Sequence, residues 1–410
     1  MSRYPFLGLG FYSWSQKFGV AVAAQEEEEG GEGEGGGGGG GNSSVAANKI
    51  VVGAYFDDDG GTSTGSVYVY DLDGTNQVKI TASDRSAGDK FGQSVGLGTN
   101  KIAVGSPFAD PSGSSSGKVY LYNLSGTEVG IITASDGASS DQFGHSVAIG
   151  NDKIVVGAHT DDDNASNSGS VYVYDLDGTN QVKINASDAA SGDQFGDVVA
   201  VGSNRIVVGA YRDDDDGTTS GSAYVYNLDG TNEVKITGSN SDAGDEFGRA
   251  VAVGANKVVI GAPRASIGST SSGVVYVYDL DGTNEVMIMA SDAGNSDFFG
   301  KSVGIGTNKI VVGSPSDDDG GSAAGAAYVY NLDGTGEVKI TASDAAASDQ
   351  FGLKIAIGNN KIVVGTQFDD DDGASSGSVY VYDLDGTNEV KITSSDAAAG
   401  DQFGQSVAVG

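Results

Sequence analysis

FGHSVAIGNDKIVVGAHTDDDNASNSGSVYVYDLDGTNQVKINASDAASGDQ, residues 143–194, holds four runs of β-forming residues, and Phe195-Gly196 then opens the same pattern again. The runs are FGHSVAIG from Phe143, KIVVGA from Lys153, SVYVYDL from Ser170 and QVKINA from Gln181. Val, Ile and Tyr dominate them, and such residues suit a pleated surface that is largely covered. Gly150, Asn151 and Asp152 join the first pair of runs; Asp177, Gly178, Thr179 and Asn180 join the last pair, with Asp-Gly as a tight hairpin signal. Four antiparallel strands in one such unit make a propeller blade.

Phe-Gly pairs stand at Phe91, Phe143, Phe195, Phe247, Phe299, Phe351 and Phe403, always 52 residues apart. Gly53, Gly105, Gly157, Gly209, Gly261, Gly313 and Gly365 keep the same register, as do Tyr-x-Tyr pairs from Tyr68 and Tyr70 to Tyr380 and Tyr382. A fixed period of this kind is the mark of a repeat architecture. The second run is almost wholly apolar, as expected of a strand covered on both faces. The fourth carries Lys79, Lys183, Lys235, Lys339 and Lys391, lysines expected to keep an exposed edge from pairing with other chains. Tyr-x-Tyr places both rings on one face, read as core between blades and not as a ligand platform. Only the weak match at Phe18 could open the first blade, so the C-terminal FGQSVAVG from Phe403 is expected to complete it and remove the free edge. Truncation of a longer array is the competing explanation for the stop at Gly410. The fold class read from these patterns is all-β: a seven-bladed β-propeller of four-stranded antiparallel blades over residues 48–410, closed by the C-terminal strand and expected to be a monomer.

The chain has 410 residues, 67 of them glycine, with 22 basic against 56 acidic residues and a formal charge of −34. That charge repels nucleic acid and anionic headgroups and favours cationic partners. Divalent cations or high salt relieve its self-repulsion, and both are met outside cells. Cysteine is absent, which excludes disulfides and thiol chemistry. No apolar run is long enough for a membrane-spanning helix. Arg3, the apolar and aromatic stretch Tyr4 to Trp14, and Ala21 to Ala24 ahead of Gln25 have the order of a secretory signal over residues 1–24. The alternative is that FGVAVAA, from Phe18, is a degenerate opening strand. Residues 25–47, with EEEE and poly-Gly, read as a flexible linker.

The order FGxSVAxG, IVVGA or IVVGSP, and GSVYVY resembles the FG-GAP repeat of integrin α-subunit-type propellers, in its bacterial form with a trailing SDxxxxDQFG linker. Pro107, Pro263 and Pro315 stand at the third position of the GAP element; Tyr55, His159, Tyr211 and Gln367 replace it elsewhere. The resemblance implies an extracellular propeller used in adhesion or recognition of a protein or glycan, often with calcium bound. It does not carry over calcium ligands. The family's DxDxDG loop lies between the first and second strands, where this chain has only short turns such as Gly98, Thr99 and Asn100.

Acidic runs lie instead between the second and third strands: Asp57, Asp58 and Asp59; Asp161, Asp162 and Asp163; Asp213, Asp214, Asp215 and Asp216; Asp317, Asp318 and Asp319; Asp369, Asp370, Asp371 and Asp372. Strand direction puts these loops on one face. The linkers carrying Asp84, Asp188 and Asp344 emerge there too, so a negative rim is expected. Clustered aspartates beside Gly, Ser and Thr could supply the oxygen ligands that Ca²⁺ takes, or could be solvated loops only. The aspartate two before each Phe-Gly, such as Asp193 and Asp401, is expected to fix a turn. Two loops break the pattern, with Asp110 in the second copy and Arg264 in the fifth; these, with Arg212 and His159, are candidate ligand contacts. DLDGTN is read as hairpin chemistry. The only histidines, His145 and His159, fall in one blade with no nucleophile-base constellation, and near-identical blades leave little room for a unique pocket. The reading is therefore a binding module, not an enzyme, with no organic cofactor, nucleic-acid partner or membrane insertion. A spacer array without a ligand is the alternative, with an acid-based glycan-cleaving channel as the residual one.

Overall fold

The computed structural model describes residues 47–150, 152–266 and 271–410; the expected signal (1–24) and all but the end of the expected linker lie outside the described residues. Those residues form 28 strands in seven four-stranded antiparallel sheets. Blade three is representative: Ser146–Ile149, Lys153–Ala158, Ser170–Asp175 and Val182–Ile184 pair in chain order. Blade one differs only in connectivity. Its innermost strand is Ser406–Val409, which pairs with Lys49–Ala54 so that Val409 faces Ile50 and Ser406 faces Gly53. Lys49 and Gly410 exchange backbone hydrogen bonds of 3.0 and 3.2 Å. Ser406–Val409 then lies between Lys354–Gly358 and Ser94–Leu97 in a closed ring of innermost strands. The expected closure is thus present. Among the described residues no helix is long and apolar enough to cross a membrane.

The core is divided among seven seams. Each seam joins the valine face of one blade to the tyrosine face of the next: Val51, Val67 and Val69 of blade one meet Ile102, Val104, Tyr120 and Tyr122 of blade two. Phe91 arrives in this seam from the linker between the blades, and its ring meets both tyrosines edge-on at 5.3 and 6.0 Å. The closing seam is built the same way. Phe403 meets Tyr68 and Tyr70 at 5.4 and 6.1 Å, against Val363, Val379 and Val381 of blade seven.

The glycines of the repeat mark where that linker crosses the preceding blade. A Cβ on Gly157 would stand 2.0 Å from the Gly196 carbonyl oxygen, and Gly169, at φ +84°, would bring one 2.1 Å from that of Phe195. Phe195 also donates its backbone N–H to Ser168, at 2.9 Å. Phe-Gly of one copy and Gly-Ala and Gly-Ser of the copy before it are therefore the two sides of one contact.

If the closing seam is equivalent to the rest, Phe403→Ala and Phe195→Ala should each cost about 3–5 kcal/mol in denaturant unfolding. A loss at Phe403 that is negligible beside that at Phe195 would contradict ring closure.

Candidate functional site

In every blade the second strand rises to, and the third descends from, the same end of the propeller, so the acidic loops share one face with the linkers. The aspartates of each run divide by burial. Asp57, Asp161, Asp213, Asp317 and Asp369 are buried, while Asp58, Asp59, Asp162, Asp163, Asp214, Asp215, Asp216, Asp318, Asp319, Asp370, Asp371 and Asp372 are exposed. The reason is a lysine. Lys183, on the outermost strand, reaches over the blade to this face, with Nζ 2.9 Å from Asp136, 3.0 Å from Asp161 and 2.6 Å from Asp163. Tyr172 completes the cluster by donating its hydroxyl to Asp161 at 2.8 Å and to Asp136 at 2.9 Å. Lys79, Lys235, Lys339 and Lys391 repeat the arrangement, Lys79 with Asp57, Asp59 and Asp396. Burial alone would lower these lysines, but hydrogen bonds to three carboxylates hold each well above the usual lysine range. The lysine expected to guard the outer edge thus also offsets part of the loop's negative charge, and only alternate aspartates point outward.

Blades two and five show that this is one unit. Ala109 and Ala265 replace the buried aspartate there, and Ile131 and Met287 replace the lysine. Blade five also has Asn240 where other linkers have aspartate. In blade two the retained Asp84 is held by Lys118 at 2.6 Å instead. By donor chemistry the triads suit a hard cation: in four of them one oxygen from each carboxylate lies within 4.8 Å of the others, so they could hold a metal ion. The ammonium is already within 3.0 Å of all three carboxylates, so an ion enters only by displacing it.

The aspartate two before each Phe-Gly accepts a backbone N–H three residues upstream in all seven copies, for instance Asp193 from Ala190 at 2.6 Å and Asp401 from Ala398 at 2.8 Å. It fixes the turn as expected. Burial, only partly offset by that bond and reinforced by the nearby acidic runs, raises Asp141, Asp193, Asp349 and Asp401 to about 6. The DLDGTN elements are hairpins, with Gly178 N–H on Asp175 C=O at 2.9 Å and Thr179 N–H on the Asp177 carboxylate at 3.0 Å.

At the axis the repeat loses its uniformity. The residue after each Phe-Gly is Gln93, His145, Asp197, Arg249, Lys301, Leu353 and Gln405 in turn, and all seven sit at the mouth of the bore on the acidic-loop face. The His145 and His159 rings are in contact, tilted by 46° with centroids 3.6 Å apart, and His145 Nε2 lies 3.4 Å from Asp197. Burial would raise the Asp197 carboxyl; Arg249 at 3.4 Å, with His145 and His159, holds it well below the usual carboxylate range. Arg249 also lies over the Tyr211 ring at 4.1 Å. Lys354 is buried beside Lys301 and Arg249, and burial and those two cations push its ammonium well down.

Between blades four and seven this mouth opens into a cavity of ≈ 700 Å³. Among the described residues Arg212, Arg249, Arg264 and Lys301 line it with a single carboxylate, Glu246; Tyr211, Pro263, Phe298, Pro315 and Leu353 supply apolar wall. Glu246 pairs with Arg264 at 2.8 Å, and Arg212 donates to the Tyr211 hydroxyl at 2.8 Å. The expectation that near-identical blades leave little room for a unique pocket is therefore corrected: the blades are alike in their seams and unlike at the mouth. Two candidate contacts, Arg212 and Arg264, meet in this cavity. His159 does not line a surface loop but is fully buried, and Asp110 lies outside the cavity with its carboxylate accepting the Ser115 N–H at 2.6 Å. Arg249, Lys301 and Glu246 escaped sequence reasoning, although the varying residue after a constant Phe-Gly was the signal for the first two.

Residues 75–122, 127–174, 179–226, 231–278, 283–330, 335–382 and 387–410 match the family model described as FG-GAP repeat. Each full-length match runs from one blade's hairpin to the next blade's second tyrosine, so the sequence unit spans a seam. No curated protein matches the chain.

Two measurements probe the charge units. Lys183→Met should lower stability by about 1–3 kcal/mol, the part-exposed lysine discounting the full cost of an orphaned buried carboxylate. Lys183→Met with Asp161→Ala, the blade-five solution, should recover much of it; additive losses in this double-mutant cycle would refute the coupling. The second is pH dependence. Asp141, Asp193, Asp349 and Asp401 titrate near 6 folded and at a lower pH unfolded, so their effect is to stabilise the fold progressively as pH falls from about 7 to 5. The lysine-paired Asp136, Asp188 and Asp344 have depressed values, and their stabilisation is lost below about pH 4. A melting temperature that peaks on the acidic side of neutrality is expected, with a shallower rise in Asp193→Asn/Asp401→Asn.

Proposed function

The chain belongs to the FG-GAP repeat family, and we propose that it is a secreted or surface-attached binding module that recognises a protein or glycan through its acidic-loop face. One observation carries this reading: the copies agree wherever one blade packs on the next and diverge where seven sets of loops converge. Surface loops on a rigid scaffold are where recognition is placed. The outward aspartates Asp58, Asp162, Asp214, Asp318 and Asp370 give that face a field that draws cationic groups. Binding is favoured over catalysis because His145, His159 and Asp197 are sealed from solvent. Calcium contributes, on this reading, by displacing a triad lysine, which makes the dependence on calcium partial.

Retention of extracellular protein and glycan panels on the immobilised chain, with calcium or with EGTA, tests the proposal. Asp214→Asn/Asp318→Asn/Asp370→Asn should weaken retention of a bound ligand about tenfold at low salt and less at high salt. A folded chain that retains no member of either panel would favour the spacer array.

A further inference from the structure

We propose that the axial cavity between blades four and seven binds a single carboxylate carried on an uncharged body the size of a sugar residue. This deepens the binding reading above and rests on the same face, but on different residues. The chain carries a charge of −34, yet four cationic groups gather on this one cavity, with Glu246 the only carboxylate among the described residues of its wall. Arg212 and Arg264 are exposed at its rim, and Arg249 is buried at its base, ordered against Tyr211 and Asp197. Guanidinium groups held this way present fixed donors to a planar carboxylate.

The size and charge of the ligand follow from the walls. A cavity of ≈ 700 Å³ is far larger than a bare ion requires, and Phe298, Pro263 and Pro315 offer apolar surface to the face of a ring. A polyanion is disfavoured: the exposed Asp214 and Asp216 belong to the same loop as Arg212, and their field opposes a run of successive negative charges. One negative group therefore enters where several cannot.

The base of the cavity is prepared for such a charge. Lys301 feels the positive charges of Arg249, Arg264 and Lys354, with Glu246 and Asp197 as the opposing carboxylates. Burial, then repulsion from Arg249, pushes its ammonium down to about 7. A carboxylate beside it restores the charged form, so binding takes up a proton and tightens as pH falls from about 8 to 6.

Calorimetric titration with methyl glucuronide and with methyl glucoside tests the proposal on the intact chain. The glucuronide should bind at least about tenfold more tightly than the glucoside. Arg264→Gln and Arg212→Gln, both at exposed positions, should each reduce glucuronide binding by about the same factor, while Asp385→Asn on the opposite face should leave it unchanged. Lys301→Met should flatten the pH dependence. Equal binding of the two sugars, binding unaffected by both arginine variants, or tighter binding of a heparin tetrasaccharide than of the glucuronide would each overturn the proposal. So would no binding of any of them; ligand retention that is sensitive to the outward aspartates would then stand alone.

Discussion

The structure depends on the linker that carries each Phe-Gly across the blade before it. Phe195 illustrates the constraint: its N–H bonds to Ser168, its carbonyl presses on Gly169, the next carbonyl presses on Gly157, and its ring fills the seam beneath Tyr224 and Tyr226. No blade could bury its tyrosine face without the linker, and the linker has no path without the glycines. The 52-residue period therefore admits little drift, because an inserted residue would misplace a buried ring and two close backbone contacts together. Closure adds one more contact of the same kind, made by Phe403.

A second constraint comes from charge. Acidic loops at one face of a ring repel one another, and five of the seven blades carry their own remedy in the lysine of the outermost strand. Desolvating three carboxylates and an ammonium is costly, so a partial set is worse than none. The two exceptional blades obey this logic. Blade five drops the lysine and the linker and buried aspartates together, and blade two drops its lysine with the buried aspartate while Lys118 takes over Asp84. Apolar Ile131 and Met287 are left partly exposed as a result.

Strand content, register, the tyrosine core, the hairpins and the closing strand were all legible in the sequence, because period-2 patterning and turn chemistry are local and were repeated seven times. The turn role of Asp193 and its equivalents was legible for the same reason. The lysine clusters were only half legible: Lys183 and Asp161 are opposite in charge, but their meeting depends on a side chain reaching over a blade edge, and Asp136 joins them from the preceding linker. The axial site was the least legible. Gln93, His145, Asp197, Arg249 and Lys301 lie a full repeat apart in the chain and become neighbours only when the ring closes.

That last point also explains why variation falls at the axis. Seven copies of one charged residue after Phe-Gly would bring seven like, largely buried charges together at the start of the innermost strands, with little water to screen them. A uniform polar residue such as Gln93 or Gln405 would avoid the repulsion without any diversity. The chain instead places Asp197 between His145 and Arg249, follows Arg249 with Lys301 and, one residue past the neutral Leu353, with Lys354, and ends the ring on the uncharged Gln405 and Gln93. An ion-paired bore needs only the first part of that series. Burial first, then the cations Arg249 and Arg264, depress Lys301 on the open side, a cost to the free protein that an entering negative group relieves.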